Sequence, residues 1–234
     1  MTTVTVSASE LLKAIDCVSP WREKGSGLLS CVHLLHVADG LQLTTSNGSS
    51  ACRVLVGDAS GADRALEEYY SCLLTRAGVR LLKQLLRSSA TAAIDPLLLD
   101  ISPNDCYLPP QPLSPAVPNR PTGISEALRK CYDCPSYLPT KPAADYPIAL
   151  IDRLLKPSEV DPGSHSTVPR SHFVSPPRID CNPTAATTAA RLTLMKAARL
   201  FIGPDISFYT SAESRAATVY SPTCTFTTAN HPQP

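Results

Sequence analysis

No apolar run in this chain is long enough to cross a bilayer: stretches such as Leu97 to Leu99 fall far short of the roughly 20 residues a spanning helix needs. The N-terminus, MTTVTVSASELLKAID, alternates polar and apolar residues and lacks the charged-then-apolar order of a secretory leader. The chain therefore reads as soluble, unexported and cytoplasmic, with no membrane partner. Excess charge is missing too. Twenty-one basic residues against twenty acidic ones leave a formal charge of +1, so any contact with nucleic acid has to rest on a local concentration of charge. No Ser-His-Asp arrangement, Gly-rich phosphate loop or paired-carboxylate motif stands out, which predicts a protein that is not an enzyme and needs no cofactor. What the chain does have is material for a core. Its 234 residues, 43% of them hydrophobic, suit one large or two ordinary domains.

Nine cysteines, odd in number and scattered, argue against a disulfide framework and for reduced thiols. Several sit inside apolar strand-like or helical patterns, where the thiol behaves as a small buried hydrophobe. Only Cys131-Tyr132-Asp133-Cys134 has a spacing that suggests redox chemistry or half of a zinc site. A second pair is missing, and His165 and His172 match no compact zinc module. Pro135 follows where a thioredoxin-like helix would continue. No metal site is expected.

The most informative stretch is LTRAGVRLLKQLLRSS, residues Leu74 to Ser89, where four basic residues fall at helical spacing with no acidic residue among them. Arg76, Arg80, Lys83 and Arg87 stand within roughly 60° of one another at about 100° per residue, while Val79, Leu81, Leu82, Leu85 and Leu86 cover the opposite arc. A ridge of one sign repels itself unless something negative sits near it, and phosphate is the commonest such group. The other reading of the same pattern is a solvent-facing helix whose acidic neighbours come from elsewhere in the fold.

Along the chain, Thr2 to Ser7 alternates as a strand, and Ser7 with Glu10 forms a capping box ahead of a helix carrying Leu11, Leu12, Ile15 and Val18 on one face. Pro20 ends that helix. Val32 to Val37 and Leu41 to Thr45 read as a hairpin turned at Ala38-Asp39-Gly40, and Ala51 to Val56 follows after Asn47-Gly48. Glu68 to Leu73 reads as a strand, then comes the basic helix, then short strands over Thr91 to Ile101 broken at Pro96. Strand, helix and hairpin thus recur as a duplicated unit in the first hundred residues or so. Eight prolines between Pro96 and Pro121 mark a loop or insertion through which no ordinary helix or central strand should run. A short helical pattern spans Ile124 to Tyr132, Ile148 to Leu155 is helical or extended, and Lys156 to Pro177 is a Pro-, Ser- and His-containing stretch. Arg178 to Cys181 is strand-like, Thr187 to Phe201 is a helix closed by Gly203-Pro204, and Ile206 to Tyr209 with Ala216 to Tyr220 makes a hairpin.

These pieces resemble a known family. LLKAIDCVSPW, VHLLHVADGLQLTTSNGSSACRVLV, CLLTRAGVRLLKQLL and LPTKPAADYP look like successive parts of the first domain of the bacterial DNA sliding clamp, the beta-subunit processivity factor of DNA polymerase III. RIDCNPTAATTAARLTLMKAARLF and ISFYTSAESRAATVYSPT resemble the second half of that family's last domain. The likeness covers roughly two thirds of the residues and contains no catalytic signature.

The resemblance implies an α+β DNA-clamp fold, in which duplicated strand-helix-hairpin units place helices on one face of antiparallel sheets. It implies a first domain over 1–147, with a Pro-rich insertion at about 96–122, and a shortened second domain over 148–234, clearest from 178. The implied function is a polymerase processivity factor for DNA replication, binding double-stranded DNA without sequence specificity inside a homo-oligomeric ring. Arg76, Arg80, Lys83 and Arg87 are the implied DNA-facing residues, joined by Lys13 from the first helix and Arg22 and Lys24 from the loop after it. Arg191, Lys196 and Arg199 spread over about 140° of the C-terminal helix, so only some of them share such a face. The family's partners are DNA polymerase and clamp-loader peptides, which bind an apolar pocket near the C-terminus. Here the ending Thr227-Thr-Ala-Asn-His-Pro-Gln-Pro234 is polar, so that pocket is expected to be altered. A chain of this length is nearer the two-domain clamps that close as trimers. The alternative is a clamp-derived interaction module that does not close a ring.

Overall fold

The structure, a computed structural model, describes residues 2–37, 40–57, 70–87, 96–110, 136–155, 166–169, 193, 196–197, 205–211, 216–221 and 223–229. The first unit is β1 (Thr2–Val6), α1 (Ala8–Val18), β2 (Val32–Val37), β3 (Gly40–Ser46) and β4 (Ser50–Gly57). The second repeats its order as β5 (Ser71–Leu74), α2 (Arg76–Arg87), β6 (Leu97–Ile101), β7 (Cys106–Leu108) and β8 (Ser136–Leu138). After them come β9 (Thr140–Pro142), α3 (Ile148–Leu155), β10 (Ser166–Pro169), β11 (Asp205–Ser211), β12 (Ala216–Ser221) and β13 (Cys224–Ala229). All strand pairings among the described residues are antiparallel, in keeping with the α+β reading.

The two units exchange their first strands. β1 joins the second unit in a four-stranded sheet of order β1-β6-β7-β8, while β5 joins the first in β4-β3-β2-β5. Neither unit completes a sheet from its own sequence, so each holds the other in place. The second sheet is longer still, with order β10-β11-β12-β13-β4-β3-β2-β5-β9. Strands from both sides of the expected boundary at 147/148 meet in it through the β13–β4 pair, which runs from Cys224 opposite Val54 to Thr228 opposite Ser50.

One apolar core lies between the helices and the two sheets. Leu11, Ala14, Ile15 and Val18 of α1 and Val79, Leu82, Leu85 and Leu86 of α2 pack there against Val4, Leu34, Leu43, Val54 and Leu99. Ala197, Val219 and Phe226 belong to the same cluster, and Phe226 meets Trp21 with ring centroids 4.5 Å apart. The other face of the long sheet is covered by α3, whose Ile151 and Leu155 bury against Cys31, Ala51, Leu73 and Tyr146. An Arg53–Asp152 ion pair fastens that helix to β4.

Several expectations change. Residues 96–121 do carry central strand: β6 lies between β1 and β7, and β7 between β6 and β8. Pro96, Pro103 and Pro109 all fall just outside these strands, where a missing N–H breaks no ladder bond. β10 likewise runs inside the 156–177 stretch, at a sheet edge where Pro169 is tolerated. Ser7 does stand at the N-cap of α1, but no capping box forms; its hydroxyl makes no cap bond and lies 3.1 Å from that of Ser9. The strand expected over 68–73 is β5, one residue later at its end, and Ile148 to Leu155 is helical. The hairpin turn closes on Gly40 at φ +137°, where a Cβ would meet the Val56 carbonyl oxygen at 2.1 Å. Thr193, Lys196 and Ala197 are helical, while Arg178 to Cys181, Ile124 to Tyr132 and the Cys131/Cys134 pair lie outside the described residues.

Candidate nucleic-acid interface

Helix α2 is set in place at its first turn. Thr75 is its N-cap: the hydroxyl accepts the Gly78 N–H at 3.2 Å and the carbonyl accepts that of Val79 at 2.8 Å. The Thr75 N–H and hydroxyl both donate to the Pro139 carbonyl, at 3.0 and 2.8 Å, which ties the helix start to the β8–β9 turn. Gly78 allows this approach, because a Cβ there would lie 2.5 Å from the Pro139 oxygen and 2.6 Å from Leu74. Behind the start, Val79, Leu82, Leu85 and Leu86 are buried, and each such side chain contributes roughly 1.5–3 kcal/mol of burial. The apolar arc read from the sequence is the buried one, with Leu81 half-buried at its margin.

The opposite face is cationic but not uniformly bare. Arg76, Arg80 and Arg87 are exposed and Lys83 is half-buried. Asp16 reaches across from α1 to Lys83 at 2.7 Å and to Arg87 at 2.9 and 3.1 Å. An acid from elsewhere in the fold therefore does meet the ridge, at its C-terminal end, with one carboxylate serving two cations. Burial works against the charged form of Asp16, yet hydrogen bonds and charge from Lys83 and Arg87 outweigh it and hold the carboxyl below its ordinary range.

The N-terminal half of the ridge has no such partner among the described residues. Arg76 donates to the Glu23 backbone carbonyl at 3.1 Å, and Arg22 donates from Nε to the Ser19 carbonyl at 3.1 Å. Burial and the adjacent Arg76 charge both lower the Arg22 pKa from its ordinary value. Arg76 also stands in the first turn of α2, where the helix dipole disfavours a cation. Two guanidiniums beside a helix N-terminus make a locus of uncompensated positive potential, which an anion would relieve.

An open groove of about 510 Å³ runs along this surface, lined by Arg22, Arg76, Val79, Arg80, Lys83, Gln84 and Arg87. Five of the seven expected site residues thus share one groove. Lys13 on α1 and Lys24 in the following loop are exposed and lie outside its lining. Lys196 is exposed in the C-terminal helical stretch, while Arg191 and Arg199 fall outside the described residues. Sequence reasoning missed Asp16 and Gln84. Gln84 was legible, one residue beyond Lys83 on the same side of the helix, whereas no local pattern marks an acid 71 residues from its arginine.

No protein-family model and no curated protein matches the chain. Solved structures do. The DNA polymerase III beta subunit of Thermotoga maritima superposes with a TM-score of 0.62 at 10% identity, covering 99% of this chain and 65% of that one. The corresponding subunit of Pseudomonas aeruginosa gives 0.66 at 10% identity, covering 100% and 67%. The Helicobacter pylori beta clamp, solved bound to a DNA ligase peptide, gives 0.63 at 10% identity, covering 98% and 65%. Each match takes in nearly all of this chain and about two thirds of the clamp. At such identities the likeness speaks for the fold, and the conclusion is that this chain has the fold of the bacterial DNA polymerase III beta sliding clamp, spanning about two thirds of its length.

Proposed function

We propose that the chain is a sliding-clamp-like processivity factor that holds double-stranded DNA without reading its sequence. The observation that carries this is the arginine-rich groove on α2, set on a clamp fold with no carboxylate beside Arg22, Arg76 or Arg80 among the described residues. Cations on a rigid helix face suit phosphate, whose contacts position a duplex but carry no base information, as a sliding ring requires. Lys13 and Lys24 extend the positive surface beyond the groove. The protein performs no chemistry of its own and works in the cytoplasm. No helix among the described residues is long and apolar enough to cross a membrane.

Two clamp-like domains per subunit, 1–147 and 148–234, then close as a homotrimer, keeping six domains around the DNA. The partners are peptides of a DNA polymerase and its clamp loader; a ligase peptide is what the Helicobacter pylori clamp holds. Thr227 and Thr228, buried in β13 and bonded to Thr218 and Ser50 at 3.0 Å each, put polar groups there and argue for a changed peptide pocket.

The deciding experiment is duplex binding as a function of salt. With about four phosphates neutralised per subunit, the log-log slope should be roughly −3.6, an approximately 150-fold loss between about 50 and 200 mM salt. Affinity should be equal for unrelated sequences. A slope near zero would sink the phosphate reading.

A further inference from the structure

Three cysteines far apart in sequence converge in the core. Cys17 comes from the buried face of α1, Cys52 from β4 and Cys224 from β13. In the β13–β4 ladder Cys52 faces Phe226 and Cys224 faces Val54, so the two thiols are diagonal neighbours on one sheet face, and α1 lays Cys17 over them. The Cys17 sulfur lies 3.6 Å from that of Cys224 and 4.0 Å from that of Cys52, and all three fall within 4.8 Å of one another. All are buried, at 1%, 0% and 2% exposure.

The dimensions are those of a metal site. A triangle of sulfurs with sides near 4 Å has its centre about 2.3 Å from each corner, the length of a metal–thiolate bond. No His, Asp or Glu joins the three among the described residues. Soft thiolates bind both zinc and copper(I), but structural zinc is almost always four-coordinate, whereas copper(I) is satisfied by three sulfurs, the number found here among the described residues. We propose that Cys17, Cys52 and Cys224 form a three-coordinate thiolate site for copper(I). All three thiols release their protons to solvent as the ion binds, so the monovalent ion and three thiolates leave two net negative charges in the core. The ion enters while the chain folds and clamps β13 onto β4 and α1, at the pair that joins the two parts of the long sheet.

The test refolds the full chain without oxygen in the presence of a copper(I) acetonitrile salt, removes unbound metal by gel filtration, and measures copper content and X-ray absorption. One copper per chain with three sulfurs at about 2.3 Å is expected, together with a raised melting temperature. Alkylation in mild denaturant, mapped by mass spectrometry on the wild-type chain, should show Cys17, Cys52 and Cys224 protected by the metal and Cys131 and Cys134 not. Cys17→Ala and Cys224→Ala should each abolish retention, and Cys131→Ala with Cys134→Ala should leave it intact. If the core variants do not fold, the absorption and alkylation results on the wild-type chain decide. Failure to retain copper, protection at Cys131 and Cys134 instead, or retention of four-coordinate zinc in place of copper would each overturn the proposal.

Discussion

Asp16 occupies two of the four cations of α2, so Asp16→Asn should free Lys83 and Arg87 for phosphate. Duplex affinity should then rise and the log-log salt slope steepen by up to about 1.8, measured by titration at several salt concentrations. An unchanged slope would show that those two cations do not face DNA. Because the folded Asp16 carboxyl titrates below its ordinary value, its contribution to stability is complete above that value and is lost as pH falls through the folded one. His33 acts at a higher pH. It is buried against Tyr146, ring centroids 5.1 Å apart, and burial, with Arg53 nearby, lowers its pKa from 6.5 to about 4. The unfolded chain takes up a proton below about 6.5 while the folded one does not, so stability should decline from there to about pH 4, by an order of 3 kcal/mol. In thermal melts across that window, His33→Phe, which can keep the stack, should flatten the decline; an equal decline would place its cause elsewhere. Gly78→Ala gains about 1 kcal/mol of helix propensity but drives a methyl into the Pro139 carbonyl, which costs roughly 1–3 kcal/mol, so the melting temperature should fall by a few degrees.

Helix α2 separates the cationic groove from the packing behind it. Replacing Arg76, Arg80, Lys83 and Arg87 by Gln keeps helix propensity and leaves Val79, Leu82, Leu85 and Leu86 in place. Stability should drop by no more than about 1 kcal/mol, since the only carboxylate among the described residues that loses partners is the partly exposed Asp16. DNA affinity and most of the salt slope should disappear; a variant that binds as the wild type does would remove α2 from the interface. The ridge was legible in the sequence because its period is local: i, i+4, i+7 and i+11 put side chains on one face whatever the rest of the fold does. The hairpin of β2 and β3 was legible for the same reason. Asp16 was not, because its partner is supplied by tertiary packing, nor was the meeting of Cys17 with Cys224, 207 residues apart. β7, and the central place of β6, were missed through counting prolines instead of placing them: Pro96, Pro103 and Pro109 leave two gaps wide enough for strands.

At the scale of the whole molecule the question is closure. A subunit with about two thirds of a clamp's length should reach, by light scattering, three times its 25.0 kDa chain mass. A closed ring should also persist on nicked circular DNA and run off linear DNA of equal length, and equal retention on both would remove it. In such a ring a free sheet edge would have to be taken up by a neighbour; among the described residues β8 is an edge of the four-stranded sheet, and its Tyr137 is 70% exposed. The exchange of first strands between the two units also bears on how the chain is made. Val6 pairs with Leu97, so β1 leaves the ribosome well before its partner and has none until the second unit is nearly translated. At about 5–20 residues per second, β1 waits on the order of 5–20 s with its edge bare. Thr3 and Thr5, which alternate with Val4 and Val6 along it, keep that waiting strand half polar.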